Sequence, residues 1–277
     1  MQPGLYADLS LSEYHAAPGY SKSDLDLMAR SPAHWKYGER VTTPAMRLGA
    51  AAHAAVLEPD QWEARYARAP DKRGKTDPDP DRTGLTATDW ETCLSIRAAI
   101  WNHPTCQGLL NEGHAEHSAW WIDPDTRLLC KCRPDWNRPG LLLDLKTAID
   151  ASPQSFARAV ERYRYHVQAA YALDGWPQAG GGTVERFVFI AVEKTPPYAV
   201  GLYDLSPALL RQGRWLYQQA LRTAEGCLTR PYWPGYDPEI LTLPLGDARP
   251  EPGLLLLGEI PMRAEHEKAD PLILGDD

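Results

Sequence analysis

The sequence predicts an α/β protein in which a central mixed sheet is flanked by helices, and two observations lead to this fold class. Runs typical of β-strands lie at 116–122, 141–147, 186–193 and 198–205. Helical patterns surround them, at 24–30, 44–58, 88–103, 153–175 and 207–226. With 277 residues and 43% hydrophobic content, the chain can bury one substantial core.

The first helices have recognisable start signals. Ser21 or Ser23 can cap a helix over 24–30, because a serine side chain accepts a hydrogen bond from the first turn. Ser31 caps the next helix, with Pro32 at its first position. Both helix starts could bind anions, as the start of any capped helix could.

The helix predicted at 44–58 carries a histidine, His53. Leu48, Ala52 and Ala55 recur at helical spacing, and the small residues around them permit close packing. Taken alone, a single histidine in this setting is more typical of a core residue than of a metal ligand.

Periodicity stops at 70–81, where glycine, proline and charge predict a mobile loop before the long helix at 88–103. Lys72, Arg73 and Lys75 in this loop are candidates for contacts with DNA phosphates, since cationic side chains bind the backbone whatever its sequence. A loop that only increases solubility is the alternative.

The centre of the chain predicts a hairpin that brings two carboxylates together. One strand carries Asp135, a turn follows at 137–140, and the second strand runs over 141–147. Because side chains alternate along a strand, Asp144 and Lys146 share one face, while the neighbouring leucines enter the opposite layer. Asp135 could then lie beside Asp144 across the turn.

Two acids and a lysine in one place have a specific chemical meaning. Crowded carboxylates repel each other unless a cation neutralises them, and their oxygens suit Mg²⁺ or Mn²⁺. Such an ion polarises a phosphoryl oxygen and lowers the pKa of water, while Lys146 can orient that water. The pattern therefore favours hydrolysis of phosphodiesters. A structural strand that carries D-x-K by chance is the alternative.

The helix predicted at 153–175 places several polar side chains together. Ser152 suits its N-cap and Gly175 its C-terminal end. Gln168 shares a face with two tyrosines, and two arginines lie one row away. These four neighbours are Tyr165, Tyr171, Arg158 and Arg162. A solvated, arginine-rich face is the alternative to a nucleic-acid contact.

Charge and composition limit which molecules the protein can bind and the compartment in which we expect it. The net charge of −8 opposes binding of a polyanion by the chain as a whole, but lysine and arginine cluster at 22–40, 65–82 and 158–164. No signal-peptide pattern and no membrane-length apolar run is present, so we expect a cytoplasmic protein with reduced cysteines. Cys130 and Cys132 are expected to be packed thiols.

Several segments resemble a known nuclease family. Pro134-Asp135 followed by Asp144-Leu145-Lys146 is similar to the PD-(D/E)XK motif of the restriction-endonuclease-like nucleases. Further segments resemble the RecE-type exonuclease domain (exodeoxyribonuclease VIII), at 20–25, 30–35, 48–53, 57–59, 130–136 and 165–171. The resemblance runs from about Tyr6 to Leu205 and implies a restriction-endonuclease-like core.

The resemblance also implies roles for individual residues. The metal ligands would be His53, Asp135 and Asp144, with Lys146 as the catalytic lysine. Glu116 opens a strand where related nucleases place another acid near the metals. Two further residues come from the glutamine helix: Gln168 would contact the scissile phosphate, and Tyr171 would correspond to a tyrosine that the family spaces one residue further away.

The activity implied by the resemblance is Mg²⁺-dependent digestion of linear double-stranded DNA from the 5′ end, with Mn²⁺ as a substitute ion. Mononucleotides would be released and 3′ single-stranded tails left for recombination by strand annealing. The implied partners are duplex DNA ends, a single-strand annealing protein of the RecT type, and further copies of the chain in a ring-shaped homo-oligomer. No membrane is involved.

Alternatives within and outside the superfamily remain open. A RecB-like, structure-specific nuclease is one, although its iron–sulfur cluster needs three cysteines after the core, and only Cys227 follows Lys146. A non-catalytic DNA-binding scaffold with the same fold is the other. In either case we expect the nuclease domain at 1–230 and an irregular, proline-rich extension at 231–277, docked or partly disordered.

Overall fold

The computed structural model describes residues 1–69 and 82–239, which contain ten strands and ten helices. The strands are β1 (Gly4–Tyr6), β2 (Tyr66–Arg68), β3 (Thr83–Leu85), β4 (His114–Ala115), β5 (Ser118–Ile122), β6 (Leu129–Cys132), β7 (Trp136–Arg138), β8 (Gly140–Ala148), β9 (Val184–Glu193) and β10 (Val200–Asp204). The helices are α1 (Leu11–Ala16), α2 (Lys22–Arg30), α3 (Pro32–Tyr37), α4 (Pro44–Leu57), α5 (Pro59–Arg65), α6 (Ala87–Trp101), α7 (Pro104–Leu109), α8 (Pro153–Arg162), α9 (Tyr165–Gln178) and α10 (Pro207–Thr229).

The central sheet has five strands in the order β10-β9-β8-β7-β4. Strands β8 and β9 are parallel, because α8 and α9 carry the chain back between them, and the other neighbours are antiparallel. A second sheet has the order β1-β5-β6, and β2 pairs with β3 in a small parallel ribbon. This is the predicted α/β class with a central mixed sheet flanked by helices.

Helices cover both faces of the central sheet, and the buried residues of β8 show why the register of this strand is fixed. Leu141, Leu143 and Leu145 are buried in the cluster formed with α4 and α6. Leu142 is buried in the opposite cluster, with residues of α8, α9 and α10. A shift of one residue would move the three leucines out of their layer. The predicted alternation along this strand is therefore confirmed.

The strand predicted to carry Asp135 is divided between two sheets. β6 ends before this residue and pairs with β5, whereas β7 begins after it and pairs with β8. Pro134 lies between them, and a proline, which has no N–H group, cannot donate to a strand ladder. The turn predicted at 137–140 is also too long, since β7 extends to Arg138 and β8 starts at Gly140.

Two helices replace the single helix predicted at 153–175, although the predicted N-cap at Ser152 is confirmed. The chain leaves the helix at Arg164, whose φ of 55° lies in the left-handed region that non-glycine residues rarely adopt. Helix α9 continues past Gly175 to Gln178, so Gly175 is not a cap. A Cβ atom at Gly175 would lie 2.3 Å from the Trp121 ring, and glycine is needed there for close packing.

Contacts within the chain divide it into two units, Met1–Gly235 and Tyr236–Asp277. The strands and helices above belong to the first unit. Of the second, residues 236–239 are described and form neither helix nor strand. The loop cations Lys72, Arg73 and Lys75 and residues 240–277 of the predicted extension lie outside the described residues. Among the helices described, none has the length and apolar character to span a membrane.

Two glycines of α10 should respond in opposite ways to alanine. A Cβ at Gly213 would lie 2.1 Å from the His166 carbonyl oxygen, so Gly213→Ala must push α9 and α10 apart, at a cost of about 1–3 kcal/mol. Gly226 has open space around the same position, so Gly226→Ala should stabilise the helix by up to about 1 kcal/mol. Urea unfolding of both variants checks the pair, and a destabilised Gly226→Ala would contradict this account.

Candidate active site

An open cleft of about 880 Å³ lies in the first unit, beside the carboxylates singled out by the sequence. Its lining comes from the N-terminal segment, the start of α2, the helices α4 and α5, the connection before β7, strand β8 and the start of α9. The side chains that matter for chemistry are His53, Glu116, Asp135, Lys146, Tyr165 and Gln168. The structure thus brings together residues from distant parts of the chain.

Two of the acids sit where the chain passes from one sheet to the other. Glu116 lies between β4 of the central sheet and β5 of the second sheet, and Asp135 lies between β6 and β7. The backbone N–H of Glu116 donates to the carbonyl oxygen of Asp135 at 3.0 Å, which ties the two crossings together. Glu116 has a φ of 58°, so its backbone is held in the left-handed region. It precedes β5 and does not open that strand as predicted.

Arg133 fixes the side chain of Glu116. Its Nε donates to Glu116 Oε2 at 2.6 Å, and its NH1 group donates to the Leu9 carbonyl at 2.7 Å and to Ser118 Oγ at 2.8 Å. Burial and the nearby Asp135 raise the pKa of Glu116 to about 7, although Arg133 acts in the opposite direction. The carboxylate is therefore held in place but carries an incompletely balanced charge.

His53 and Asp135 form the next pair. His53 Nδ1 lies 3.3 Å from Asp135 Oδ2, and the same oxygen accepts the backbone N–H of Leu145 at 2.6 Å. Burial lowers the pKa of His53, but Asp135 outweighs burial and raises it to about 9. Burial raises the pKa of Asp135, and His53 then brings it below the usual value. Without a metal, the pair is an imidazolium and a carboxylate.

The donor set fits a divalent cation. His53, Glu116 and Asp135 each offer a ligand atom, and these atoms lie within 4.8 Å of one another. Carboxylate oxygens with one imidazole suit Mg²⁺ or Mn²⁺. The raised pKa of Glu116 also favours a cation here, because a cation at this position would reduce the repulsion between the carboxylates.

Asp144 lies outside that group of three and is held by other partners. Asp144 Oδ2 pairs with Lys146 Nζ at 2.5 Å, and Oδ1 accepts a hydrogen bond from Gln168 Nε2. Burial and Asp135 raise the pKa of Asp144. Burial lowers the pKa of Lys146, but Asp144 and Asp135 outweigh it and keep the ammonium charged. Gln168, predicted to contact phosphate, contacts Asp144 here.

The break between α8 and α9 places the side chains of Tyr165 and Gln168 in the cleft. Arg164 is the N-cap of α9, and its carbonyl accepts the backbone N–H groups of Val167 and Gln168. Tyr165, the first residue of α9, faces Lys146, whose Nζ is 4.6 Å from the ring centroid. The site therefore uses Tyr165, which the sequence marked only as a neighbour of Gln168 on its helical face.

Tyr171 is a core residue and does not suit the predicted DNA contact. Its side chain is buried, and its hydroxyl donates to the carbonyl oxygen of Tyr20 at 2.6 Å. The ring packs against Trp121 with 4.7 Å between centroids. Both Tyr165 and Tyr171 line the cleft, but Tyr171 is buried whereas Tyr165 is partly exposed.

The arginines predicted to bind DNA lie on α8, away from the cleft lining. Arg158 and Arg162 are exposed, and the Arg162 guanidinium lies 5.5 Å from the ring of Tyr163. Cys130 and Cys132 are buried free thiols, as predicted. Arg133 was not predicted as a site residue, and its place directly before the Pro134-Asp135 motif is the signal that could have indicated it.

The chain is similar to known proteins in its family and in its fold. A protein-family model described as "PDDEXK-like domain of unknown function (DUF3799)" matches residues 10–240. A search of curated proteins gives no match. A crystal structure from Eubacterium rectale, described as a "Putative exonuclease", has 14% identity and a TM-score of 0.56, and covers 87% of this chain and 97% of that chain. At this identity the likeness shows the fold alone.

A weaker structural match was also found. The crystal structure of SSO0001 covers 76% of this chain and 81% of that chain, with 14% identity. Its TM-score is 0.34.

Metal binding should release a proton from His53. A metal ligand must be the neutral imidazole, whereas the pKa of about 9 keeps His53 protonated in the metal-free protein at pH 7.5. Titration calorimetry with Mn²⁺ in two buffers of different ionisation enthalpy should show release of about one proton, and apparent affinity should rise with pH up to about 9. The His53→Gln variant should lose this release. Binding by the wild type without proton release would exclude His53 as a ligand.

Arg133→Lys should weaken Mn²⁺ binding about tenfold, the loss typical when a residue that orients a ligand is replaced. A lysine cannot reach Glu116, the Leu9 carbonyl and Ser118 together, because it lacks the guanidinium fork. Arg138→Lys is the matched control, since Arg138 is partly exposed and its NH1 group also binds a backbone carbonyl, that of Gly108 at 2.9 Å. Equal Mn²⁺ affinities of the two variants would contradict the role of Arg133.

Proposed function

Because this chain belongs to the family of PDDEXK-like domains of unknown function (DUF3799), we propose that it is a metal-dependent exodeoxyribonuclease. One observation carries the proposal: the cleft brings His53, Glu116 and Asp135 together next to the ion pair of Asp144 and Lys146. A structural strand that carries D-x-K by chance would have no reason to face a histidine and a second acid across an open cleft.

The residues of the site divide into two groups. His53, Glu116 and Asp135 would hold a divalent ion, Mg²⁺ or Mn²⁺, and Asp144 would join them as the fourth ligand. When bound, this ion would supply charge stabilisation at the phosphate and lower the pKa of water. Arg133 orients Glu116, and the Leu145 N–H orients Asp135, so the ligands are arranged before any ion arrives.

Lys146 and Gln168 act on the reacting groups. The Lys146 ammonium donates hydrogen bonds to the attacking water and offsets the charge that develops on the scissile phosphate. The Gln168 amide donates a hydrogen bond to Asp144, and in this proposal it turns towards the scissile phosphate when DNA binds. In-line attack of water at phosphorus then breaks the bond to the 3′ oxygen, which leaves as a hydroxyl on the released nucleotide. That nucleotide keeps the 5′ phosphate it already carried, and the shortened strand gains a new 5′ phosphate.

The direction of digestion, its products and its role in recombination are proposed from the resemblance to the RecE-type exonucleases. We propose digestion of linear duplex DNA from the 5′ end, release of mononucleotides, and 3′ tails that serve recombination. The net charge of −8 is reconciled with a DNA substrate if copies of the chain form a ring whose channel is lined by basic segments. A single-strand annealing protein of the RecT type would be the partner, in the cytoplasm.

The decisive experiment uses linear duplex DNA labelled at the 5′ or the 3′ end, together with a closed circular duplex, in Mg²⁺. We expect early release of the 5′ label as mononucleotide and an intact circle. Lys146→Ala should cut roughly a hundredfold more slowly, because a preorganised charge at the phosphate is lost. Lys194→Ala, a substitution outside the cleft lining, should cut at the wild-type rate.

Other outcomes would reject parts of the proposal. Early loss of the 3′ label would reverse the polarity. Cutting of the circle would replace the exonuclease with a structure-specific nuclease of the RecB kind. No cutting in Mg²⁺ or Mn²⁺ would leave a non-catalytic DNA-binding scaffold.

A further inference from the structure

We propose that Tyr165 is a positioning residue that holds the Lys146 ammonium through a cation–π contact. This inference deepens the proposed function and rests on it, because Lys146 is the catalytic cation of that reaction. Lys146 Nζ lies 4.6 Å from the centroid of the Tyr165 ring and 6.0 Å from that of Phe189. Distances of this size are typical of attractive contacts between an ammonium and an aromatic face.

The ring adds a constraint that Asp144 cannot supply alone. A lysine side chain has four rotatable bonds, and one ion pair leaves its ammonium several rotamers. In this structure Asp144 Oδ2 lies 2.5 Å from Nζ, and the Tyr165 ring bounds the ammonium as well. The two contacts together define where Nζ sits in the cleft.

A neutral ring suits this task better than a second acid would. A further carboxylate beside Lys146 would form another ion pair and compete with the phosphate for the ammonium protons. The aromatic face attracts the cation through its quadrupole but carries no net charge. Lys146 therefore keeps its charge and its donor capacity for the substrate while its position is fixed.

The ring itself is held firmly. It stacks on Phe189 of β9 with 5.6 Å between centroids, at an interplanar angle of 28°. The backbone before it is held by α2, since Lys22 Nζ donates to the Tyr163 carbonyl at 2.6 Å and Asp26 pairs with Arg164 at 3.1 Å. These contacts hold the left-handed turn at Arg164 that aims Tyr165 at Lys146.

The test compares Tyr165→Met, which keeps apolar volume and helix propensity but removes the ring, with Tyr165→Phe, which keeps the ring. Single-turnover cutting of linear duplex DNA in Mg²⁺ should be about tenfold slower for Tyr165→Met and within about twofold of wild type for Tyr165→Phe. DNA affinity, measured by fluorescence anisotropy in Ca²⁺, should be unchanged in both. Tyr37→Met, which removes an exposed ring of α3 outside the cleft lining, is the matched control and should cut at the wild-type rate.

A second measurement needs no nuclease activity. In metal-free protein, the rate at which a succinimidyl ester acetylates Lys146 is followed by peptide mass spectrometry. The Tyr165→Met variant should react at least about threefold faster than wild type, because the ester reacts with the neutral amine and the ring no longer shields Nζ, while Tyr165→Phe should not. Thermal unfolding of each variant shows that the fold is kept.

The two measurements separate failure of the inference from failure of the proposed function. If wild type does not cut DNA, the proposed function fails, and acetylation alone decides whether Tyr165 holds Lys146. If wild type cuts DNA and Tyr165→Met matches it in cutting rate, or if Tyr165→Phe is as slow as Tyr165→Met, the positioning role is overturned. Equal acetylation rates in all variants would also overturn it.

Discussion

The hydrogen bond from the Glu116 backbone N–H to the Asp135 carbonyl is the constraint on which the site depends. It joins the two places where the chain crosses between the sheets, and each crossing carries one acid. Neither acid is part of a strand ladder, so their backbone groups are free to bind each other. Arg133 then ties the same corner to the N-terminal segment through the Leu9 carbonyl. The carboxylates are close together because the sheets are joined there.

Charge balance explains how so many buried ionisable groups coexist. In the metal-free protein three carboxylates, those of Glu116, Asp135 and Asp144, are matched by three cations, Arg133, Lys146 and protonated His53. Each acid has one close partner among them. The raised pKa values of Glu116 and Asp144 show that the match is incomplete, since burial and Asp135 act on both. A divalent ion would replace the proton on His53 and leave the group with one net positive charge, which suits an anionic phosphate.

Much of the fold and part of the site could be predicted from sequence, for identifiable reasons. Alternation along β8 correctly separated Asp144 and Lys146 from Leu143 and Leu145, because that period is strict and both layers are apolar. The break at Arg164 was missed, since no glycine or proline marks it and the contacts that hold it come from α2. Gly175 was misread as a helix end because its partner, Trp121, is distant in sequence. Local patterns therefore located the motif, while the side chains that orient it depend on tertiary contacts.

The parallel pairing of β8 with β9 has a consequence for synthesis on the ribosome. Asp144 and Lys146 pair with Phe189 and Ala191, and both helices α8 and α9 lie between the two strands in the chain. β8 therefore leaves the exit tunnel with one long edge unpaired until β9 follows. Until β9 emerges, the strand that carries the proposed catalytic lysine is open to pairing with another nascent chain. The residues most needed for the chemistry belong to the part of the sheet that closes late.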